Sequence, residues 1–133
     1  GECAEFCGEQ HAHMGFRITA VEPAEFSAWV RDQQAPAVQP VTDEQRAGSE
    51  VFMTSCAGCH TVRGTEAKGK MGPDLTHFAS RKSLAAETLE NTPENLARWL
   101  QDPQGVKPDN KMPNPGLDRD AVSRLVAYVE SLR

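Results

Sequence analysis

A five-residue motif, Cys56-Ala57-Gly58-Cys59-His60, constrains this 133-residue chain more than any other part of its sequence. Two such thiols followed directly by a histidine form the pattern that attaches a c-type haem. The spacing lets both thiols add to the vinyl groups of one porphyrin while the imidazole reaches the iron. Zinc binding and thiol–disulfide chemistry are the alternatives, but no second cysteine pair lies at zinc-finger spacing and no thioredoxin-like strand precedes the motif. A covalent haem domain is therefore predicted around Cys56 and Cys59.

The composition agrees with a small domain built around a large apolar group. Hydrophobic residues make up 38% of the chain and aromatic residues 6%. These values are modest for the core of a small domain, in which surface is large relative to volume. A buried porphyrin would supply the missing apolar mass. No run approaches the roughly 20 apolar residues of a membrane span, and no signal peptide is visible.

Charge is distributed unevenly along the chain, whose net charge is −5. The segment before Thr42 carries two arginines against six carboxylates, and the remainder is close to balanced. A nucleic-acid-binding protein needs a basic patch. The composition therefore argues against a nucleic-acid partner.

Residues 42–133 carry the start signals of three helices. Thr42 is an N-cap with Gln45 as its capping-box partner, Thr92 caps a helix that starts at Pro93 and ends before Pro103, and Asp118 opens the last helix. The apolar positions of each helix share one face. They are Ala47, Gly48, Val51 and Phe52 in the first helix, Leu96, Trp99 and Leu100 in the second, and Val122, Leu125, Val126, Tyr128 and Val129 in the last. This pattern predicts a mainly α domain.

The first 41 residues have a different pattern. Residues 14–21 alternate apolar and polar side chains, which predicts a strand. Pro23 can open a short helix in which Phe26, Trp29 and Val30 share a face. Residues 33–41 are rich in Gln, Ala and Pro, and we expect an extended linker there that does not hold the next domain rigidly. The chain is therefore predicted to consist of an N-terminal segment at 1–32, a linker at 33–41 and a domain at 42–133.

A second candidate metal site opens the chain. Cys3, Cys7, His11 and Met14 form the run C-x-x-x-C-x-x-x-H-x-x-M. Soft thiolates and a thioether combined with an imidazole suit copper, and two thiolates on one loop can bridge two copper ions. A Cys3–Cys7 disulfide is the alternative, but it leaves the spacing of the histidine and the methionine to chance.

The sequence from Gly1 to Met14 resembles the copper A loop of subunit II of haem–copper oxidases. The resemblance implies that Cys3 and Cys7 bridge a dinuclear copper centre, that His11 and Met14 are terminal ligands, and that the carbonyl of Glu5 is a further ligand. It also implies a magnesium ion bound through the Glu5 side chain at the contact with subunit I. The family's other histidine ligand lies on an upstream strand that this chain does not contain, and His13 cannot be assumed to replace it.

Residues 42–133 resemble a class I cytochrome c domain, in which the first and last helices cross closely at a small–aromatic pair such as Gly48 and Phe52. The resemblance implies a mainly α class I cytochrome c fold, preceded by a short β/α remnant of the C-terminal end of a cupredoxin domain. Gly72-Pro73-Asp74-Leu75 is similar to the family's proximal loop, which implies that the Pro73 carbonyl accepts a hydrogen bond from His60 Nδ1–H.

The resemblance also implies a distal methionine ligand to the haem iron. Met112 lies in the proline-stiffened loop Lys111-Met112-Pro113-Asn114-Pro115, where the family places this ligand. Met71 is the alternative, and Met53 is expected to pack in the core. We expect Trp99 to donate its indole N–H to a haem propionate and Arg81 to pair with the same group; a core tryptophan and a solvated arginine are the alternatives. His77 is interpreted as a surface or packing residue.

Both motifs in this order resemble subunit II of the caa-type oxidases, in which a cytochrome c domain is fused to the copper domain. The resemblance implies an electron-transfer part of an oxidoreductase complex with no catalytic residue of its own. Electrons would pass from a soluble cytochrome, another redox protein or an upstream complex through haem c to copper A and then to oxidase subunit I, which reduces oxygen and pumps protons. The implied location is the extracytoplasmic face of a bacterial membrane, reached through upstream helices and the complex.

Two other functions are compatible with the same motifs. One is a stand-alone c-type cytochrome with a vestigial copper loop, and the other is a different copper A enzyme, such as a nitrous-oxide or nitric-oxide reductase. For any of them, we expect the electron donor to dock beside Met112, where Lys107 and Lys111 offer positive charge. An apolar docking surface is the alternative.

Overall fold

The computed structural model describes all 133 residues and is mainly α-helical. The helices are α1 (Pro23–Gln34), α2 (Asp43–Ser55), α3 (Pro93–Gln101), α4 (Pro103–Val106) and α5 (Arg119–Val129). Two short antiparallel strands, β1 (Ser83–Leu84) and β2 (Leu89–Glu90), pair Ser83 with Glu90 and Leu84 with Leu89. Single 3₁₀ turns occur at His11–His13 and Phe78–Ser80. None of the helices has the length and apolarity needed to cross a membrane.

The predicted helix starts are confirmed by their caps. Thr42 Oγ1 accepts the backbone N–H of Gln45 at 3.1 Å, and the Gln45 side chain accepts the N–H of Thr42 at 3.2 Å, which completes a capping box. Thr92 and Asp118 accept backbone N–H groups in the first turns of α3 and α5. These contacts join residues three positions apart, so they form as soon as the local helix does.

The crossing of α2 and α5 builds the centre of the core. Gly48 and Phe52 are buried on α2, and the Phe52 ring meets Tyr128 edge-on, with centroids 5.5 Å apart. A Cβ atom at Gly48 would lie 2.0 Å from the backbone oxygen of Arg124. The close crossing predicted at Gly48 is therefore present, and only a residue without a side chain allows it.

The β1–β2 hairpin turns through an unusual backbone. Ala85, Ala86 and Glu87 are consecutive non-glycine residues with φ values of 53°, 59° and 63°. Left-handed geometry costs such residues roughly 1 kcal/mol each. The turn must therefore be held by contacts with the rest of the fold.

The strand predicted at residues 14–21 is wrong. The segment has no regular secondary structure, and no other part of the chain pairs with it along its length. An alternating pattern shows only that a segment would suit a half-buried sheet face, whereas a strand also needs a hydrogen-bonded neighbour. Helix α1 does form as predicted, but Phe26 and Trp29 stack on each other and are each 54% exposed.

The linker predicted at residues 33–41 is held in place by the rest of the chain. Its first two residues, 33 and 34, belong to α1, and Ala37 is buried with its N–H donated to the Arg63 carbonyl at 2.8 Å. The Arg63 guanidinium donates to the carbonyl of Gln33 at 2.5 Å, and His77 Nε2 lies 3.0 Å from that of Ala35. Long-range contacts therefore hold this segment against the helical domain, and His77 has a packing role.

Candidate haem and copper centres

The haem motif forms a tight turn at the end of α2. The N–H groups of Cys59 and His60 both donate to the carbonyl of Cys56, each at 3.0 Å. Cys56, Cys59 and His60 are all partly buried, and both cysteines are free thiols. Burial, followed by the charge of Cys59, raises the pKa of the Cys56 thiol to about 11. The turn brings two thiols and one imidazole together without a disulfide.

The proximal loop packs directly against the histidine. His60 Nδ1 lies 2.9 Å from the carbonyl oxygen of Pro73, which is the contact expected between them. A Cβ atom at Gly72 would lie 2.5 Å from Cε1 of His60, so the backbone of the loop touches the ring. Because Pro73 occupies Nδ1, the ring keeps Nε2 for a metal. A ligand oriented in this way is the usual arrangement at haem and metal centres.

The loop that carries Met112 is held by two amide side chains. Gln104 Nε2 donates to the carbonyls of Met112 at 2.7 Å and Asn110 at 2.9 Å. Asn110 Oδ1 accepts the N–H of Met112 at 2.8 Å. Met112 is partly buried against the core, whereas Met71 is 85% exposed. The structure thus holds Met112 in a built loop and leaves Met71 in solvent.

Of three further side chains with an expected role, one lies in surroundings that contradict it. Met53 is 40% exposed, so its predicted role in core packing is wrong. Trp99 is partly buried against the core. The Arg81 guanidinium donates to the Asp74 carbonyl and lies 5.7 Å above the Phe78 ring. The interactions of Trp99 and Arg81 with a propionate stay predictions.

The expected docking charge at Lys107 is absent from the surface. Lys107 is 8% exposed, and its Nζ donates to the carbonyl of Ala85 at 2.8 Å. Burial lowers the pKa of Lys107 below its ordinary value. Lys111 is exposed. A donor approaching the methionine loop would therefore meet the charge of Lys111 and not that of Lys107.

An ion pair stabilises the loop behind the proximal proline. Arg63 Nε lies 3.3 Å from an Asp74 carboxylate oxygen, and Asp74 also accepts the backbone N–H of Thr76 at 2.8 Å. Partial burial would raise the pKa of Asp74, but the hydrogen bonds from Thr76 and the charges of Arg63 and Arg81 together lower it below its ordinary value. Asp74 therefore links the proximal loop to the segment around Arg63.

The four copper candidates meet at the start of the chain. Cys7 Sγ lies 3.4 Å from Cys3 Sγ, 3.9 Å from His11 Nδ1 and 3.1 Å from Met14 Sδ. Cys3 Sγ is 3.1 Å from the carbonyl oxygen of Glu5. A hydrogen bond with Cys3 is the main cause that raises the pKa of the Cys7 thiol. Two thiols, one imidazole, one thioether and one carbonyl thus converge.

Backbone hydrogen bonds close the copper loop. The nitrogen of Gly1 donates to the Phe16 carbonyl at 2.8 Å, and the N–H of Phe16 donates to the Gly1 carbonyl at 2.9 Å. His13 is exposed and does not join the ligand cluster, which contains Cys3, Cys7 and His11. It lies in a 3₁₀ turn.

Some residues that shape these sites were not found from the sequence. Gln104 and Asn110 hold the methionine loop, and Gln10 joins the copper loop to Pro108 through a hydrogen bond of 2.7 Å. The role of Asn110 could have been predicted, because an asparagine side chain in a turn often hydrogen-bonds to the backbone two residues further along. Gln104 and Gln10 had none, since their partners are set by the tertiary fold.

The residues around His60 fit a covalently attached haem. The paired thiols, an imidazole held through Nδ1 and a partly buried methionine on a built loop are the donors that such a group requires. The touching backbone at Gly72 leaves no room for a side chain beside the ring. The fold and this site define a c-type cytochrome with a class I arrangement of helices.

Comparison with known proteins gives the same result. The cytochrome c family model matches residues 45–133. Cytochrome c of Gossypium barbadense is 32% identical over 74% of this chain and 94% of its own length. The chain belongs to the cytochrome c family, and its class I cytochrome c fold is the one expected from the sequence.

Other relatives also cover the copper loop. Cytochrome c oxidase subunit 2 of Alkalihalophilus pseudofirmus is 41% identical over the whole of this chain, and the corresponding subunit of Bacillus sp. strain PS3 is 37% identical over the whole chain. The chain spans 39% of the length of each of these two subunits. The similarity therefore includes the segment before the cytochrome domain.

Proposed function

We propose that this chain is the electron-relay part of subunit II of a caa-type cytochrome c oxidase. The observation that carries the proposal is the presence of two separate ligand sets in one chain. One comprises Cys56, Cys59, His60 and the loop of Met112, and the other is the cluster centred on Cys7. A freely diffusing carrier needs only the first set.

The residues of the cytochrome domain bind and tune haem c. Cys56 and Cys59 would hold the porphyrin covalently, His60 and Met112 would hold its iron, and Pro73 fixes the orientation of the imidazole. Haem c supplies reversible one-electron chemistry when bound. Histidine–methionine ligation raises the reduction potential and fills the iron, so that electron transfer is favoured over substrate binding.

The copper loop provides ligands for the second centre. Cys3 and Cys7 would hold the copper through their thiolates, with His11, Met14 and the Glu5 carbonyl as further ligands. The remaining histidine ligand would come from a part of the subunit outside these residues. The Glu5 carboxylate would bind a magnesium ion at the contact with subunit I. Copper A supplies a one-electron acceptor close to the haem domain.

The proposed direction of electron flow is from haem c to copper A. The electron donor would be a cytochrome, another redox protein or an upstream complex, and subunit I would be the final acceptor, where oxygen reduction and proton translocation would take place. The site lies on the extracytoplasmic face of a bacterial cytoplasmic membrane. Joining both centres in one chain makes their encounter intramolecular, at roughly millimolar effective concentration.

Rapid kinetics on the full-length subunit loaded with haem and copper tests this function. After photoreduction of the haem, we expect its reoxidation to coincide with reduction of copper, at a rate independent of protein concentration. Cys7→Ser should abolish this phase and leave the haem spectrum unchanged. A haem that is reoxidised only in proportion to added carrier would instead identify a stand-alone cytochrome. Reaction with nitrous or nitric oxide would indicate another copper A enzyme.

A further inference from the structure

The copper loop contacts the cytochrome domain at specific side chains. Gln10 Nε2 donates to the carbonyl of Pro108 at 2.7 Å. Arg17 forms an ion pair with Glu87 at 2.9 Å, with side-chain exposures of 52% and 28%. The backbone at Gly15 lies against Glu87, because a Cβ atom there would be 3.0 Å from Glu87 Cβ. We call these five residues the docking seam.

The domain side of the seam is built on a strained turn. Glu87 is the last of the three left-handed residues in the β1–β2 hairpin. The buried Lys107 holds the first of them, Ala85, through its carbonyl, and the Ser83 hydroxyl donates to the Glu87 carboxylate. Backbone strain persists only where the surrounding structure over-determines it. These contacts hold Glu87 in the position at which Arg17 meets it.

Hydrogen bonds and adjacent residues connect Gln10 to both ligand sets. It directly precedes His11 of the copper cluster, and its amide bonds to Pro108, which directly follows Lys107. The carbonyl of Lys107 accepts the Asn110 side-chain amide at 2.6 Å, and Asn110 in turn accepts the N–H of Met112.

The second polar atom of the Gln10 side-chain amide is its oxygen, Oε1. Gln10 Oε1 is buried without a hydrogen-bond partner. Burial of an unpaired amide oxygen is unfavourable. The bond from Gln10 Nε2 to the Pro108 carbonyl is therefore the polar contact that this amide makes with the cytochrome domain.

We propose that the docking seam fixes the distance between the copper loop and the methionine loop, and that Gln10 and Arg17 are positioning residues for electron transfer from haem to copper. This inference rests on the proposed function. Gln10 and Arg17 would set the fraction of time for which the copper loop and the methionine loop are in contact. Neither residue would be a metal ligand.

Charge reversal in the full-length subunit, loaded with haem and copper, tests the seam. Arg17→Glu should slow haem-to-copper transfer about three- to fivefold at low salt, the upper range for a partly exposed ion pair. Glu87→Arg should do the same, and the double reversal should restore most of the rate. Gln10→Leu should slow transfer several-fold. Arg31→Glu makes the same charge change on the exposed face of α1 and should have no effect.

A second measurement does not depend on electron transfer. Hydrogen exchange of the peptides covering residues 8–17 and 83–90 should become faster in Arg17→Glu, return towards the wild-type rate in the double reversal, and stay unchanged in Arg31→Glu. The optical spectrum of the haem and the paramagnetic resonance signal of copper should be unaltered in all variants. A purely structural defect would change these signals.

The possible failures are distinguishable. Rapid transfer in the wild type together with unchanged transfer rates in Arg17→Glu and Gln10→Leu would overturn the seam and leave the proposed function intact. If Arg31→Glu slowed transfer as much as Arg17→Glu does, the seam would also be overturned, because the change in net charge would then be the cause. No transfer in a wild-type subunit that holds both centres would overturn the proposed function and the seam together.

Discussion

Gly48 of α2 lies against the backbone oxygen of Arg124 in α5, so closely that a Cβ atom at Gly48 would be 2.0 Å away from it. The opposing atom belongs to the backbone of a helix and cannot rotate aside. The two helices meet here with Phe52 and Tyr128 in edge-on contact beside them. The crossing therefore depends on the absence of one methyl group.

Gly48→Ala should force the two helices apart. We expect the free energy of unfolding to fall by about 3 kcal/mol, the upper end of the usual range for overpacked cores, although alanine favours a helix by about 1 kcal/mol over glycine. Denaturant unfolding of the haem-loaded protein measures the change. Gly58→Ala is the matched control, because no atom beyond its chain neighbours lies within 4 Å of its Cβ position. Equal stability of the two variants would contradict the close crossing.

Met112→Ala should remove the sixth ligand of the haem iron. The weak sulfur-to-iron charge-transfer band at the red edge of the ferric spectrum should disappear, because it requires a thioether bound to the iron. Met71→Ala should retain the band, since Met71 is 85% exposed. Optical spectra of the two variants make the comparison. Loss of the band in Met71→Ala alone would reverse the assignment.

Asp74 should contribute to stability in a pH-dependent way. Its pKa is lowered in the folded state, so its contribution is present above the pKa of the unfolded chain and is lost as pH falls through the folded-state pKa. Asp74→Asn should therefore destabilise the protein at neutral pH, and the difference should shrink below about pH 4. Unfolding measured from pH 7 to pH 3 tests this.

Asp32→Asn is the control for that series, because the Asp32 side chain is exposed and forms no ion pair. It should leave the pH profile of stability unchanged. A difference between wild type and Asp74→Asn that stays constant down to pH 3 would show that the carboxylate is not stabilised by Thr76 and Arg63.

The copper loop in the 133-residue chain should not hold a stable dinuclear centre. The ligands Cys3 and Cys7 lie close together, but the second histidine of the family's site is not supplied, because His13 is exposed outside the cluster. In air the two thiols should therefore form a disulfide. Thiol titration of the haem-loaded protein should find none free, and Cys7→Ser should retain one. Two coppers per haem by metal analysis would refute this expectation.

Much of the helical domain follows from local sequence. The caps at Thr42, Thr92 and Asp118 and the haem turn at residues 56–60 involve groups only a few positions apart, so neighbouring residues suffice to specify them. The ligand spacing of the copper loop is local in the same sense, and all four candidate side chains converge. The pair of Gly48 with Phe52 was recognisable because it resembles the small–aromatic pair at which the first and last helices of class I cytochromes c cross.

The tertiary structure decided the features that depend on distant partners. Lys107 resembles a surface charge in the sequence, yet it is buried because the carbonyl of Ala85, 22 positions away, accepts its ammonium. The linker is fixed because Arg63 and His77 reach its backbone across 30 and 42 positions. Gln10 contacts Pro108 across 98 positions. Side-chain chemistry and spacing specify what a residue can bind, but burial and partnership come from the free energy of packing the whole chain, which no local pattern contains.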